Sequence, residues 1–211
     1  MKRTLIFLAI CLSISAVGNA QTGKSAVKTT TSVNKAKTPE PPSADGKFKF
    51  FYSKEYNGFL NETDKKDYVV ITAPGKSASD IKSSIMSTLS SMYSNPSKVI
   101  STLGDNIINV TAYASDAFQH PYTSDSNSHY SFTYNIKIEI KDGKIKVESP
   151  SFSNLFEQTI YMGNTIGTDN LDPNEIYSEL FIAKELEQAK VEKIFNSHIT
   201  KIISGLSNSD W

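Results

Sequence analysis

The segment that most constrains the fold is Tyr130 to Ile140, in which large apolar side chains alternate with polar ones. The apolar positions are Phe132, Tyr134, Ile136, Ile138 and Ile140. Successive side chains of a strand point to opposite faces, so this alternation predicts a strand with one buried and one wet face. Asp142-Gly143 is a strong signal for a two-residue hairpin turn, with Lys144 to Ser149 as the returning strand. The segment therefore predicts antiparallel sheet.

Further strands are predicted from short β-branched or aromatic runs bounded by turn residues. They are Phe48 to Tyr52, Asp67 to Thr72, Ser97 to Leu103 and Asn106 to Ala114. The connection from Ser115 to His129 contains Pro121 and a stretch rich in Ser and Asn, so it is predicted to be an irregular loop between strands.

Two helices are predicted from their start signals. The first begins at the capping box Ser77-Ala78-Ser79-Asp80 and ends before Asn95-Pro96. The second begins at Asp172-Pro173-Asn174-Glu175 and reaches Gly205, with a break expected near its middle. The prediction is an α+β fold, an antiparallel sheet with one helix after the second strand and a long C-terminal helix.

The segment from Ile81 to Lys146, which includes the hairpin Ile138 to Lys144, resembles exported domains of Bacteroidetes described as having a TATA-binding-protein-like fold. This resemblance is carried by a pattern of apolar positions and one turn, and it covers about half of the chain that follows the export signal. It implies a TATA-binding-protein-like α+β fold. Because a fold name does not assign a function, the resemblance implies neither DNA binding nor catalysis.

The first twenty residues have the features of a secretory signal peptide. A basic start, Met1-Lys2-Arg3, precedes the apolar run Leu5 to Val17 and the small-residue site Gly18-Asn19-Ala20. We expect cleavage after Ala20 and export to the periplasm or the extracellular space. The mature chain then has a flexible Thr/Lys/Pro-rich tail over residues 21–46, one α+β domain over residues 47–211, and no transmembrane helix.

One motif near the cleavage site is misleading. Gly18 to Ser25 satisfies the phosphate-loop pattern G-x-x-x-x-G-K-[ST]. A functional phosphate loop connects the end of a buried strand to the start of a helix. This segment would instead follow an export signal and precede the polar tail. Nucleotide binding is therefore not expected.

Charge and cysteine content exclude several other functions. The totals of 22 basic and 22 acidic residues become 20 and 22 once Lys2 and Arg3 are removed with the signal. Arg3 is the only arginine, so nucleic-acid binding is not expected. Cys11 is the only cysteine and would also be removed, unless it is lipidated as in a bacterial lipoprotein. Disulfides and thiolate chemistry are therefore not expected, and no cofactor is predicted.

One segment gathers side chains that could bind a metal ion. The pattern Asp-x-x-x-His occurs twice, as Asp116/His120 and Asp125/His129. Two imidazoles and two carboxylates are an acceptable ligand set for Zn²⁺ if the predicted loop folds back on itself. The alternative is a solvated loop without a metal. No catalytic residue is predicted, because the chain has no G-x-S-x-G elbow or comparable nucleophile signature.

A second candidate site is aromatic. A curved sheet closed by a long helix can enclose an apolar cavity that contains tyrosine hydroxyls. Its lining would come from the later strands, with Tyr113, Tyr130, Phe132 and Tyr134 as the candidates. The alternative is that these rings are ordinary core.

Three functions therefore remain open. The leading hypothesis is a non-enzymatic exported module that binds an unidentified protein or an envelope polymer. The second is a carrier of a small apolar ligand, held between the sheet and the C-terminal helix. The third, with the least support, is a metal-dependent hydrolase that uses the Asp116 to His129 segment.

Overall fold

Residues 48–121 and 123–207 are described by a computed structural model, and they form nine strands and four α-helices. The predicted signal peptide, residues 1–20, and the predicted tail, residues 21–46, lie outside these residues. The strands are β1 (Phe50–Ser53), β2 (Gly58–Asn61), β3 (Tyr68–Thr72), β4 (Ile100–Leu103), β5 (Ile107–Pro121), β6 (Ser126–Lys141), β7 (Lys144–Glu148), β8 (Ser151–Tyr161) and β9 (Asn164–Leu171). The helices are α1 (Ala78–Ser90), α2 (Pro96–Val99), α3 (Ile176–Ile182) and α4 (Glu185–Ser207).

The long strand β6 is the centre of an antiparallel sheet. Its C-terminal end pairs with β7 and its N-terminal part pairs with β8, while β5 pairs along its other edge. Within the described residues the main order is β3-β7-β6-β5-β4, and β9 extends the sheet beyond β8. β1 and β2 form a separate two-stranded hairpin. The predicted α+β class, the antiparallel sheet and the Asp142-Gly143 hairpin are confirmed.

The prediction of an irregular loop from Ser115 to His129 was wrong. β5 continues to Pro121 and β6 begins at Ser126, so most of the segment is a paired hairpin. A β-bulge between Ala114 and Phe118 interrupts the pairing, and Asp116 lies there with φ 47°. Extra residues in one strand let it bend and twist more strongly without ending. The Ser/Asn-rich stretch is strand because β8 pairs with it on the other side.

Other predictions needed smaller corrections. Ser97 to Leu103 was predicted to be a strand, but Pro96 to Val99 forms the short helix α2 and β4 begins at Ile100. Proline suits the first turn of a helix because its φ is already helical. Strands β2, β8 and β9 were not predicted. As a result α1 follows the third strand rather than the second.

The helix start signals were correct. The Ser77 hydroxyl accepts a hydrogen bond from the backbone N–H of Asp80, and the Asp172 side chain accepts one from the N–H of Asn174. The C-terminal helical region is broken at Ala183, which is extended with ψ 150°. The break lies near the start of the region and not near its middle. Buried Gln188 donates from Nε2 to the carbonyl oxygens of Leu180 at 2.7 Å and Ala183 at 3.0 Å, which satisfies the end of α3.

The core lies on one side of the sheet. The even-numbered residues of β6 from Ser128 to Ile140 are buried, and those from Tyr130 onward share a hydrophobic cluster with residues of α1 and α4. The odd-numbered residues point to the opposite side, where they are partly exposed. We call this second side the open face, and its residues on the two central strands include Thr111, Tyr113, Thr133, Asn135, Lys137 and Glu139.

Candidate functional site

A polar cluster surrounds the hydroxyl of Tyr130 on the helix-covered side of the sheet. This hydroxyl donates a hydrogen bond to Oε2 of Glu179 at 2.8 Å. Its oxygen lies 3.1 Å from Oε1 of Glu157 and 3.4 Å from Nε2 of His120. The four residues come from β5, β6, β8 and α3, so the cluster joins the end of the long hairpin to the helix that follows β9.

The polar groups of this cluster form hydrogen bonds with one another. Ser128 Oγ donates to Oε1 of Glu157 at 2.5 Å. The ring of Tyr130 stacks on the rings of Phe118 and His120, with centroid distances of 4.7 and 5.1 Å. Burial, and then the hydrogen bond to Glu179, raise the pKa of the Tyr130 hydroxyl, so it stays a donor at neutral pH. This arrangement is typical of a network that fixes structure.

The structure brings together two of the four predicted metal ligands. Nδ1 of His129 lies 2.8 Å from Oδ1 of Asp116, and both residues lie on the open face. His120 pairs with Ser128 in the register of β5 and β6 and points to the covered side. Asp125 lies in the exposed turn between the two strands. The two histidines therefore lie on opposite sides of the sheet, and in the described ranges no group of three or more His, Cys, Asp or Glu residues could hold a metal ion.

The bulge explains the position of Asp116. Its N–H donates to Ser131 Oγ at 2.9 Å, and its carboxylate accepts from Gln119 Nε2 at 3.1 Å as well as facing His129. Aspartate tolerates the left-handed conformation that this position requires better than most residues do. The spacing Asp-x-x-x-His therefore reflects the geometry of a bulged hairpin.

The four predicted ligand-lining aromatics also divide between the two sides. Phe132 and Tyr134 are buried on the covered side, and the ring centroid of Phe195 in α4 lies 6.3 and 5.4 Å from theirs. Tyr130 is buried in the polar cluster. Tyr113, by contrast, is 58% exposed on the open face. The structure does not bring Tyr113 together with the other three.

A second polar contact, which is partly buried, joins α4 to the segment that follows α1. Nδ1 of His198 lies 2.9 Å from the carbonyl oxygen of Ile194, which can only accept, so Nδ1 donates. Nε2 of the neutral ring then accepts from the Tyr93 hydroxyl. Burial lowers the pKa of His198 and raises that of Tyr93. The structure places His198 in the core, where its side chain is buried.

The open face carries a pair of aromatic rings among hydrogen-bonding side chains. The rings of Tyr113 and Phe156 meet edge to face, with centroids 6.3 Å apart. Beside them Thr111 Oγ1 donates to Oδ1 of Asn135 at 2.7 Å. Tyrosine and phenylalanine that remain accessible among polar groups are enriched where proteins contact partners.

The other end of the open face is charged. Lys137 Nζ lies 2.6 Å from Oε1 of Glu139 and 3.2 Å from Oε1 of Glu148, and Lys146 Nζ lies 3.0 Å from the same Glu148 oxygen. These hydrogen bonds raise the pKa of both lysines and lower that of Glu139. The pairs are solvent-exposed, so each contributes little to stability.

Sequence reasoning missed both carboxylates of the Tyr130 cluster. Glu157 lies in β8, which was not predicted, and Glu179 lies in a helix whose position against the sheet was unknown. No local signal identifies either residue, because the register of β6 with β8 and the packing of α3 bring them to Tyr130.

Among the described residues, no helix combines the length and the apolar character that crossing a membrane requires.

Comparison with known proteins gives similarity to solved structures and no match of sequence. No protein-family model matches the sequence, and a search among curated proteins finds no match. Among solved structures, the chain is similar to a TBP-like protein from Parabacteroides distasonis, with 9% sequence identity and a TM-score of 0.48 over 68% of this chain and 92% of that one. The name of this neighbour agrees with the TATA-binding-protein-like fold that the sequence resemblance implies. At this identity and score the similarity assigns no activity, ligand or partner.

Proposed function

We propose that this chain is a non-catalytic exported module that binds a protein or an envelope polymer through the open face of its sheet. The observation that carries the proposal is the Tyr113–Phe156 pair, in which Tyr113 is exposed and Phe156 is half-buried, beside hydroxyl and amide side chains on an antiparallel sheet. Rigid aromatic side chains lose little conformational entropy when a partner covers them. Export rests on the predicted signal peptide.

The two alternative functions receive less support from the geometry. A carrier needs space between the sheet and α4, and the rings of Phe132, Tyr134 and Phe195 contact one another there. A metal-dependent hydrolase needs converging ligands, and His120 and His129 lie on opposite sides of the sheet.

The proposal is tested by chemical modification of tyrosine in the presence of envelope material from the producing cell. Tyr113 and Tyr56 are similarly accessible, 58% and 64% exposed, but Tyr56 lies in the turn between β1 and β2. We expect envelope material to protect Tyr113 from nitration and to leave Tyr56 reactive, as measured by peptide mass spectrometry. Equal modification of both residues with and without envelope material would contradict the proposal.

A matched pair of variants makes the test quantitative. Truncating an aromatic ring at the centre of an interface commonly costs more than about 1 kcal/mol, which corresponds to roughly fivefold in affinity. We therefore expect Tyr113→Ala to reduce retention of the protein on immobilised envelope material by roughly fivefold or more. Tyr56→Ala should leave retention unchanged.

A further inference from the structure

A pocket lies at the charged end of the open face, beside the Asp142-Gly143 turn. Its volume is about 320 Å³, near the lower limit of the range of small-molecule sites. It is lined by Tyr68, Val70, Glu139, Lys141, Lys144, Ile145 and Lys146. Three lysines and one glutamate give the lining an excess of two positive charges at neutral pH.

Two of these lysines face each other without a carboxylate between them. Lys141 and Lys144 are directly opposite in the register of β6 and β7. Like charges at opposite positions of an antiparallel pair destabilise it. Neither lysine has an ion-pair partner among the described residues. The carboxylate of Asp142 points elsewhere, because it accepts a hydrogen bond from the N–H of Ala78 at 2.8 Å.

The acidic residues of the neighbourhood are already engaged. Glu139 is paired with Lys137 at 2.6 Å, and Glu148 binds both Lys137 and Lys146. Lys146 also lies over the ring of Tyr68, with its Nζ 5.1 Å from the centroid. The Lys141/Lys144 pair is therefore the part of the pocket where an anion would relieve repulsion.

We infer that this pocket binds an acidic sugar residue of a polysaccharide, through its carboxylate. The lysines supply charge for the carboxylate, while Val70 supplies an apolar contact for the C–H groups of a pyranose ring. The ring of Tyr68 is covered by the ammonium groups of Lys66 and Lys146 and adds to the positive end of the pocket. Inorganic phosphate has no apolar surface and would use the lysines alone. The inference rests on the proposed function, since it names the envelope polymer as a polyuronate and uses the same open face.

The test is calorimetric titration of the purified protein with a trimer of galacturonic acid at low ionic strength. We expect binding with a Kd of about 1 mM or tighter, weakened by added salt because the charges are exposed. The neutral trimer of galactose should not bind. No binding of the galacturonate trimer, or equal binding of the neutral trimer, would overturn the inference.

Variants locate the site. Lys141→Gln and Lys144→Gln together should weaken binding of the acidic trimer by about tenfold, as expected for the loss of two exposed charge contacts. Lys193→Gln, an exposed position on α4, is the matched control and should have no effect. Unchanged binding by the double variant would place the sugar elsewhere and overturn the inference.

Competition with inorganic phosphate distinguishes a site for an acidic sugar from a site that recognises any anion. Competition by inorganic phosphate at concentrations equal to the acidic trimer would show that only charge is recognised, and would overturn the sugar assignment. Failure of the inference is distinguishable from failure of the proposed function. Protection of Tyr113 by envelope material without galacturonate binding removes the inference alone, whereas loss of that protection removes the proposed function.

Discussion

The side-chain amide of Asn196 on α4 makes two hydrogen bonds with the backbone of Phe50 in β1. Its Oδ1 accepts from the Phe50 N–H and its Nδ2 donates to the Phe50 carbonyl, each at 2.8 Å. One turn earlier on the same helix, Oε1 of Glu192 accepts from the N–H of Tyr52 at 2.8 Å. Side chains of α4 thus take the place of a neighbouring strand along β1, and they attach the β1–β2 hairpin to the helix.

Asn196→Leu should therefore destabilise the protein. The substitution leaves one backbone donor and one acceptor of Phe50 without partners, and each such loss costs about 1–3 kcal/mol when the group is buried. We expect the free energy of unfolding in urea to fall by roughly 2–4 kcal/mol, at the lower part of the summed range because the contacts are only partly buried. Asn170→Leu on β9 is the control. A fall no larger than that of the control would show that Asn196 does not hold β1.

Gly205 marks a close approach of α4 to α1. A Cβ placed on Gly205 would lie 3.1 Å from Thr88 Cβ and would collide with Thr88 Oγ1. Replacing glycine by alanine inside a helix is usually favourable by about 1 kcal/mol. Here we expect the opposite sign, with Gly205→Ala destabilising by roughly 1–3 kcal/mol through overpacking.

The double variant identifies the cause. Thr88→Ala removes the colliding oxygen, so Gly205→Ala should cost less in the Thr88→Ala background than in the wild type, as measured by a double-mutant cycle in urea. Additive effects of the two substitutions would show that the helices separate and that Thr88 is not the obstacle.

The buried imidazole of His198 makes stability depend on pH. Burial lowers its pKa in the folded protein, so the unfolded chain binds a proton at pH values where the folded protein does not. This contribution is fully present above the ordinary histidine pKa of about 6.5 and is lost as the pH falls toward the folded value. One proton gives a slope of at most about 1.4 kcal/mol per pH unit.

We expect urea midpoints of the wild type to fall between pH 7 and pH 5. His198→Gln should lower stability at pH 7 and flatten this dependence, whereas His129→Gln, on the open face, should preserve it. Parallel curves for the wild type and His198→Gln would show that another group titrates with folding.

The Tyr130 hydroxyl donates a hydrogen bond to the carboxylate of Glu179. Tyr130→Phe keeps the ring that stacks on Phe118 and His120 and removes this donor, which should lower the free energy of unfolding by about 1–3 kcal/mol. Tyr113→Phe removes a hydroxyl from the exposed ring of the open face and should change stability by less than about 0.5 kcal/mol. Thermal unfolding of both variants measures the difference, and equal effects would contradict a structural role for the cluster.

Local patterns predicted the parts of the fold that local chemistry determines. The alternation before Asp142-Gly143 identified the central hairpin, and the caps at Ser77 and Asp172 identified two helix starts. Strands β8 and β9 were missed because their polar residues show no clean alternation, and their pairing with β6 makes them strands. The Ser115 to His129 segment was assigned to a loop because it contains Pro121 and a Ser/Asn-rich stretch, whereas its pairing with β6 and β8 makes most of it strand.

The sequence by itself determined the α+β fold class of this protein, because the periodicity of apolar residues and the chemistry of turns depend on residues that are near one another in the chain. Only the tertiary structure decided which side of the sheet each candidate residue occupies. The register of β5 with β6 put His120 and His129 on opposite sides, and the bulge turned Asp116 toward His129. Packing of α3 brought Glu179 to Tyr130. These relationships depend on contacts between residues far apart in the chain. Such contacts form only when the whole domain folds, so a short window of sequence does not reveal them.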